Sequence, residues 1–346
     1  MPQTILITGG CGFIGTNSAS YYLDKGYRVV AFDNLSRVGA KENLEWLGGQ
    51  PGEFIFAEGD IRDAGLVLDV VKQYKPDFIL HLAAQVTMVT SLTNPREDFE
   101  VNALGTFNLL EALRIAGCKA PAIYSSTNKV MGELLSVPVV ESAERYAYRD
   151  IAGIDETFPL DFHGPYGCSK GCGDQYFLDY ARVFGLNTIV FRQSGIYGPH
   201  QFGIEEQGWL AWFCNALLFG KTVTIYGDGK QVRDVLYVDD LIMAYDAALH
   251  NAGKARGKAY NIGGGADYTL SIWELFHILT KLSGREFDYS FGPWRQGDQK
   301  VYISDISRAN RDFGWLPMIS PAEGVRRLYN WIRENQSIVA KAGVFK

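Results

Sequence analysis

The sequence predicts a doubly wound α/β fold with a parallel sheet, followed by a smaller, discontinuous C-terminal lobe. Short apolar runs alternate with amphipathic stretches over the first 190 residues. The apolar runs are continuous, which is typical of strands that a parallel sheet buries on both faces. A glycine-rich segment separates the first apolar run from the first helical stretch. Together these patterns predict a series of βαβ units.

The strands and helices of the main sheet follow from these runs in chain order. Strands are predicted at residues 4–7, 28–32, 54–56, 78–80, 122–124 and 188–191. The clearest helix is predicted at 99–116, because its leucines and Phe107 recur at a spacing near 3.6 residues. A second helix is predicted at 169–184.

The regular alternation stops after residue 191, where stretches rich in Gly, Trp and Tyr begin. Residues 235–250 predict another helix and 259–262 another strand, so we expect the chain to return once to the main sheet. The predicted cofactor domain therefore comprises residues 1–190 and 235–265. The predicted second lobe comprises residues 191–234 and 266–346.

The composition excludes several classes of protein. Apolar residues make up 47% of the 346 and charged residues 21%, as in globular proteins. A net charge of −6 disfavours a nucleic-acid partner, because duplex binding needs a basic face. The five cysteines fit no disulfide or metal-site spacing, so we expect reduced thiols and no metal. With no signal-peptide pattern and no apolar stretch approaching about 20 residues, we expect a cytoplasmic protein without a membrane partner.

The glycine-rich segment TGGCGFIG predicts a dinucleotide-binding loop. Gly9 permits a tight turn, Gly12 lets the backbone approach a pyrophosphate, and Gly15 lets the helix pack against the strand. The N–H groups at the start of the following helix then face the phosphates. Its position between a strand and a helix makes this pattern specific.

Acidic residues after the second and third strands bear on the choice of cofactor. Asp33 ends the second strand, where a carboxylate accepts hydrogen bonds from an adenosine ribose and repels a 2′-phosphate. This favours NAD over NADP, although Arg37 offers an alternative site for that phosphate. Asp60 is a candidate adenine contact, with a helix N-cap as the alternative.

Three side chains are predicted to carry the chemistry. Tyr166 and Lys170 are four residues apart, so a helix would place them on one face. A nearby ammonium and a positive nicotinamide both favour the phenolate, which predicts a pKa of Tyr166 drawn toward neutrality and a role as a base on a sugar hydroxyl. Thr127, after the fifth strand, is a candidate hydroxyl to bond the reacting oxygen.

These motifs resemble the extended short-chain dehydrogenase/reductase family, which acts on nucleotide sugars. The similar segments include ITGGCGFIG, FDNLSRVGA, YSSTNKV and DFHGPYGCSKG, and the resemblance covers nearly the whole chain. Within the family they are most similar to epimerases that act at C2 of a CDP-linked hexose (paratose, tyvelose or glucose). The resemblance makes Thr127 the catalytic hydroxyl, Tyr166 the base and Lys170 its lysine.

The resemblance also implies two sets of ligand contacts. The implied NAD contacts are Gly9, Gly12, Phe13, Ile14, Gly15, Asp33, Asn34, Ser36, Arg37, Asp60, Ile61, Leu82, Ala83, Ala84, Gln85, Asn102, Ser125, Tyr166 and Lys170. The implied substrate contacts are Thr87, Asn128, Lys129, His163, Gln193, Ser194, Arg233, Arg295 and Asp298. Arg233 and Arg295 are expected at the nucleotide diphosphate, because arginine forks suit phosphates. Met131 and Gly195 depart from the family's pattern.

The reaction is narrowed by the residues that follow Thr127. Asn128 and Lys129 stand where the family's 4,6-dehydratases carry Asp-Glu, so elimination is disfavoured on chemical grounds. The resemblance implies hydride transfer to NAD, a 2-keto sugar, and hydride return to the opposite face. Residue chemistry alone leaves C2 and C4 open. A 4-epimerase of a UDP-sugar and a non-catalytic NAD-binding scaffold are the alternatives. The resemblance further implies a homodimer or homotetramer built on the helices at 99–116 and 169–184.

Overall fold

A parallel sheet forms the centre of the computed structural model, which describes residues 2–295 and 297–345. In that part of the chain the strands are β1 (Thr4–Thr8), β2 (Arg28–Asp33), β3 (Glu53–Glu58), β4 (Phe78–His81), β5 (Ala122–Thr127), β6 (Val139–Glu141), β7 (Tyr146–Tyr148), β8 (Thr188–Gln193), β9 (Gly195–Tyr197), β10 (Val223–Tyr226), β11 (Val232–Tyr237), β12 (Ala259–Ile262), β13 (Thr269–Ser271), β14 (Tyr289–Gly292) and β15 (Val301–Tyr302). Seven of them pair in the order β12–β8–β5–β4–β1–β2–β3, all parallel. The strand order reverses between β1 and β4, where ligands bind in such sheets.

Helices pack against both faces of this sheet. They are α1 (Phe13–Asp24), α2 (Ala40–Gly48), α3 (Ala64–Tyr74), α4 (Met88–Thr93), α5 (Pro95–Asp98), a π-helical turn (Phe99–Leu104), α6 (Gly105–Ile115), a 3₁₀ turn (Asn128–Met131), α7 (Gly164–Val183), α8 (Trp209–Phe219), α9 (Val238–His250), α10 (Ala252–Ala255), α11 (Ile272–Ser283), α12 (Ser307–Phe313), α13 (Pro321–Glu334) and α14 (Gln336–Ala342). One apolar cluster joins α3, α6 and α7 to the sheet, and another joins α1, α9 and α12. The sheet is thus buried on both faces, as continuous apolar strands require.

The predicted fold class is confirmed, and the predicted strands coincide with β1 to β5, β8 and β12. Three predicted helices differ from the structure. The helix predicted at 99–116 opens with a π-helical turn over Phe99–Leu104 and becomes α-helical at Gly105. The helix predicted from 235 begins at Val238, because residues 235–237 complete β11. The helix predicted from 169 begins at Gly164, and Pro165, whose fixed φ suits a first helical turn, lies just inside it. Tyr166 therefore lies in the first turn of α7.

The C-terminal lobe has a separate apolar core. The helices α8, α11 and α13 contribute buried residues such as Phe213, Leu275 and Leu328. β11 pairs with β9, β13 and β15, and β10 pairs with β14. β8 spans the predicted domain limit at 190, and β11 spans the limit at 235, while residues 1 and 346 lie outside the described part. Within the described ranges, no helix combines the length and apolarity needed to cross a bilayer.

Candidate active site

A cavity of about 640 Å³ lies at the carboxyl ends of β1, β2, β4 and β5 and is closed on its other side by residues 193–209. All of the predicted NAD contacts except Asn102 line this cavity. Thr127 and the predicted substrate contacts Asn128, Gln193 and Ser194 line it as well. The fold therefore brings the glycine loop and the Tyr-Lys pair to one space, although they are about 150 residues apart in the chain.

The glycine loop has the geometry of a phosphate cradle. Gly9 has φ +69°, and a Cβ there would lie 2.7 Å from the backbone nitrogen of Ala83. A Cβ on Gly15 would overlap the carbonyl oxygen of Gly9. No described side chain caps the first turn of α1 at Gly12, and residues 12–15 of this turn line the cavity. This arrangement fits the pyrophosphate of a dinucleotide.

Two carboxylates shape the end of the cavity beyond β2. Asp33 accepts the backbone N–H groups of Cys11 at 2.9 Å and Leu35 at 2.8 Å, and burial raises the pKa of Asp33. Asp60 accepts hydrogen bonds from Arg62 Nε at 2.9 Å and from Arg62 Nη2 at 2.8 Å. That hydrogen bonding lowers the pKa of Asp60 to about 2. The cap of α3 is Asp63, which disfavours the alternative role for Asp60.

Arg37 points across the cavity. Its Nη2 donates to Gln207 Oε1 in the second lobe at 2.7 Å. Because Gln207 holds this guanidinium, Arg37 is not available beside Asp33 to bind the 2′-phosphate of NADP. This supports the choice of NAD over NADP.

Tyr166 is fixed at the first turn of α7. Its backbone N–H, which lacks a helical partner there, donates to Ser91 Oγ at 2.8 Å. Burial raises the pKa of Tyr166 to about 12, and the Thr127 hydroxyl acts in the opposite direction. Burial therefore dominates this pKa among the chain's own groups, and the predicted shift toward neutrality, which also depends on the positive nicotinamide, stays a prediction.

Lys170 is directed at β5. Its Nζ donates to the carbonyl oxygen of Ser125 and lies 4.3 Å from the centre of the Tyr124 ring. Burial lowers the pKa of Lys170 to about 7, against the opposing charge of Asp174. Burial therefore makes this ammonium easier to deprotonate than that of a free lysine.

The sequence patterns did not predict a buried ion pair whose carboxylate acts on Lys170. Asp174 and Arg192 are joined by two hydrogen bonds of 2.9 and 3.0 Å, and Asp174 also accepts Ser126 Oγ at 2.9 Å. The only available signal was the spacing of Asp174, one helical turn after Lys170.

Asn102 was predicted to contact NAD, but it does not line the cavity. Its side chain exchanges hydrogen bonds with the backbone of Gln85, at 2.9 and 3.0 Å, and donates to Ser169 Oγ at 3.0 Å. The amide of Asn102 therefore positions the loop after β4 against α7. Thr87 is also buried in this loop, where its hydroxyl donates to Thr90 Oγ1 at 2.7 Å.

Three predicted substrate contacts form a charged cluster beside the cavity. Arg233 donates to Asp298 Oδ1 at 2.5 Å, and Lys129 Nζ lies 3.8 Å from the same oxygen. Burial lowers the pKa of Lys129 to about 8, and the charge of Arg233 acts in the same direction. Burial opposes ionisation of Asp298, but these two cations lower its pKa. Two cations thus share the Asp298 carboxylate, and the charge of Glu133 also acts on Lys129.

The remaining predicted contacts lie apart from this cluster. Arg295 is exposed, stacks 4.1 Å from the centre of the Tyr226 ring, and donates to the carbonyl oxygen of Glu205 at 3.1 Å. His163 is more than half exposed and lies 3.5 Å from Glu133. Arg233 and Arg295 thus have separate partners in the structure, and their place at a nucleotide diphosphate stays a prediction. In the described ranges, no group of three or more His, Cys, Asp or Glu is arranged to hold a metal ion.

The fold and the cavity define a dinucleotide-binding protein with a Thr-Tyr-Lys constellation. The chain belongs to the NAD dependent epimerase/dehydratase family, whose profile matches residues 5–263. This confirms the resemblance drawn from the sequence, and it confirms NAD as the cofactor.

Individual relatives extend the similarity to nearly the whole chain. CDP-paratose 2-epimerase of Salmonella typhi is 48% identical over 94% of this chain and 98% of its own length. UDP-glucose 4-epimerase of Thermotoga maritima, solved with UDP-glucose, is 32% identical with a TM-score of 0.83, over 96% of this chain and 100% of its own. A dTDP-glucose 4,6-dehydratase double mutant of Streptomyces venezuelae, solved with NAD bound, is 30% identical with a TM-score of 0.84, over 98% and 99%.

Proposed function

We propose that this protein is an NAD-dependent 2-epimerase of a CDP-linked hexose, with CDP-paratose and CDP-tyvelose as its substrate pair. The observation that carries the proposal is the 48% identity to CDP-paratose 2-epimerase in a chain whose Thr127, Tyr166 and Lys170 line one cavity. The identities to a 4-epimerase and a dehydratase are lower, at 33% and 32%. The higher identity to the 2-epimerase therefore favours C2 over C4 as the site of reaction.

The chain's own residues divide the work of epimerisation. Bound NAD supplies the hydride acceptor and later the hydride donor. Tyr166, as phenolate, takes the proton from the sugar hydroxyl while Thr127 donates a hydrogen bond to the oxygen that becomes a ketone. After the keto sugar has presented its other face, Tyr166 returns the proton to the same oxygen. Oxidation and reduction cancel, so the net reaction is an isomerisation.

The residues after Thr127 support epimerisation over elimination. Asn128 lines the cavity and Lys129 donates to the carbonyl oxygen of Gly297 at 3.2 Å. An amide and an ammonium at these positions do not supply the acid and base carboxylates that water removal needs. The guanidinium of Arg233 and the ammonium of Lys129 are groups that suit the phosphates of a nucleotide sugar.

The test is proton NMR of CDP-paratose with the purified protein in D₂O, without added NAD. We expect the 2-epimer without deuterium at C2, because the hydride returns internally from retained NAD. The 2-epimer with deuterium at C2 would replace hydride transfer by deprotonation. An unchanged spectrum, followed by turnover of UDP-glucose, would favour the 4-epimerase. NAD binding without turnover of any CDP- or UDP-sugar would favour a non-catalytic scaffold.

We further propose that the protein is a homodimer or homotetramer assembled through α6 and α7. Apolar side chains are exposed along this surface, including Phe99 and Phe107 before and on α6 and Tyr176 and Val183 on α7. Phe107→Glu is expected to reduce the oligomer to monomers in light scattering, whereas Leu316→Glu, at an exposed apolar position between α12 and α13, serves as the control. A Phe107→Glu oligomer as large as the wild type would refute this interface.

We also propose how the chain divides into two functional units and where in the cell it is located. Residues 1–190 and 235–265 are assigned to cofactor binding, and residues 191–234 and 266–346 to nucleotide-sugar binding. A cytoplasmic location is supported by the cysteines, all five of which are free thiols.

A further inference from the structure

The backbone of Tyr166 is held from two sides at the start of α7. Its N–H group, which has no carbonyl partner within the helix, donates to Ser91 Oγ of α4 at 2.8 Å. Its carbonyl oxygen accepts Ser169 Oγ at 3.0 Å, and Ser169 Oγ in turn accepts the amide of Asn102 at 3.0 Å. Both serines are buried. The position of the phenol therefore depends on side chains outside the Thr-Tyr-Lys constellation.

Ser91 supplies a cap that α7 does not provide for itself. The residue before the helix, His163, makes no capping hydrogen bond with its side chain, and Pro165 has no N–H group. Ser91 is completely buried, so its hydroxyl, and not water, is the acceptor for the N–H group of Tyr166. An N–H group that loses its partner away from water costs free energy, so this hydrogen bond restrains the first turn of the helix.

Ser91 belongs to a segment that also forms part of the cavity wall. Its backbone N–H group donates to the carbonyl oxygen of Thr87 at 3.1 Å. The backbone N–H group of Thr87 donates to Gln85 Oε1 at 2.5 Å. Gln85 and Thr90, on either side of Thr87 in the chain, line the cavity together with Tyr166. This segment therefore joins the wall of the cofactor cavity to the backbone of the proposed base.

We propose that Ser91 is a positioning residue of the reaction, which acts through the backbone of Tyr166 and holds the phenol where it takes the proton of the sugar hydroxyl. The proposal rests on the proposed function, because it concerns the base of that reaction. Ser91 itself does not line the cavity, so loss of its hydroxyl is expected to lower kcat and to leave substrate binding largely intact. The residue lies outside the YxxxK pattern and reaches Tyr166 only through the packing of α4 against α7.

The first test compares two serine variants of the NAD-loaded enzyme. Ser91→Ala removes the acceptor and is expected to lower kcat about 10- to 100-fold with KM for CDP-paratose largely unchanged, because a small misplacement of a reacting group is costly. Ser271→Ala is the matched control, since Ser271 is also completely buried and caps α11 by accepting the N–H group of Glu274 at 3.1 Å. The control is expected to lose stability in urea but to keep the wild-type kcat. A wild-type kcat in Ser91→Ala, or an equal fall in Ser271→Ala, would overturn the proposal.

A second readout does not depend on turnover. In NAD-loaded protein labelled with nitrogen-15 tyrosine, hydrogen exchange reports the N–H group of Tyr166, whose resonance is assigned by its loss in Tyr166→Phe. This exchange is expected to be about tenfold faster or more in Ser91→Ala than in wild type, because the N–H group loses its acceptor.

A milder variant guards against a failure of Ser91→Ala to fold. Ser91→Cys keeps nearly the same shape with a weaker acceptor, so its exchange rate and kcat are expected to lie between those of wild type and Ser91→Ala. Wild-type exchange of the Tyr166 N–H group in both variants would refute the restraint, whatever their turnover. The expected exchange rates in a protein that epimerises no CDP-hexose would refute the proposed function alone.

Discussion

Asp174→Asn is expected to be the most destabilising of the conservative changes near the active site. Asp174 is fully buried on α7 and pairs with Arg192, also buried, through two hydrogen bonds. Asparagine keeps the shape of the side chain but removes its charge and one acceptor oxygen. Arg192 would then be a buried cation without a counter-charge, which is the costly outcome of breaking an ion pair.

The magnitude follows from this burial. Removing one partner of a buried pair destabilises by roughly 3–5 kcal/mol. The matched control lies on the same helix, where Asp179 pairs with Arg182 at the surface. Exposed pairs contribute about 0–1 kcal/mol, so Asp179→Asn is expected to change the free energy of unfolding by less than about 1 kcal/mol. Urea unfolding of both variants, followed by circular dichroism, measures the difference in free energy of unfolding.

The reasoning is refuted if Asp174→Asn loses no more stability than Asp179→Asn. A double variant, Asp174→Leu with Arg192→Met, adds a second check. Replacing both members of a buried pair by apolar groups is often nearly neutral, so the double variant is expected to recover much of the loss. The loss of the Asp174 charge also lowers the pKa of Lys170 further, and activity at neutral pH reports that effect separately.

Three further predictions concern the reacting groups and the cofactor loop. Tyr166→Phe is expected to lower kcat by about 10²–10⁴-fold with NAD binding retained, and near-normal turnover in steady-state assays would exclude the base role. Between pH 7 and 10 unfolded lysine binds more protons than folded Lys170, so wild-type stability should rise with pH by up to about 1.4 kcal/mol per unit from this group. Urea midpoints at several pH values should show a smaller slope in Lys170→Met, and an unchanged slope would contradict the low pKa. Gly9→Ala should weaken NAD affinity in a binding titration, because the added Cβ would strike Ala83. Gly26→Ala, also at positive φ but with open space around it, should leave NAD affinity unchanged. Equal NAD affinities in the two variants would contradict the role of the glycine loop as a phosphate cradle.

Local patterns were sufficient for the sheet and for part of the site. Continuous apolar runs predict the strands because both faces of a parallel sheet are buried. The glycine loop and the Tyr166–Lys170 spacing predict a dinucleotide cavity with a reactive pair, since both depend on a turn or a helix encoded within a few residues. The start of α9 at Val238 was missed, because the strand pairing of β11 overrides the apolar periodicity. The start of α7 at Gly164 was missed, because Pro165 in its first turn lies before the periodic residues.

Other properties depended on contacts between distant residues. Arg37 and Gln207 are 170 positions apart, and Arg233 meets Asp298 only because β11 and the segment after β14 converge. Asn102 has the residue type of a ligand contact but uses its amide to hold the loop at Gln85. The sequence by itself determined the fold class and the family and supplied the proposed reacting groups, because these depend on local periodicity and spacing. Only the tertiary structure decided which charges surround Tyr166 and Lys170, because burial and long-range packing set both the distance and the solvation of each charge.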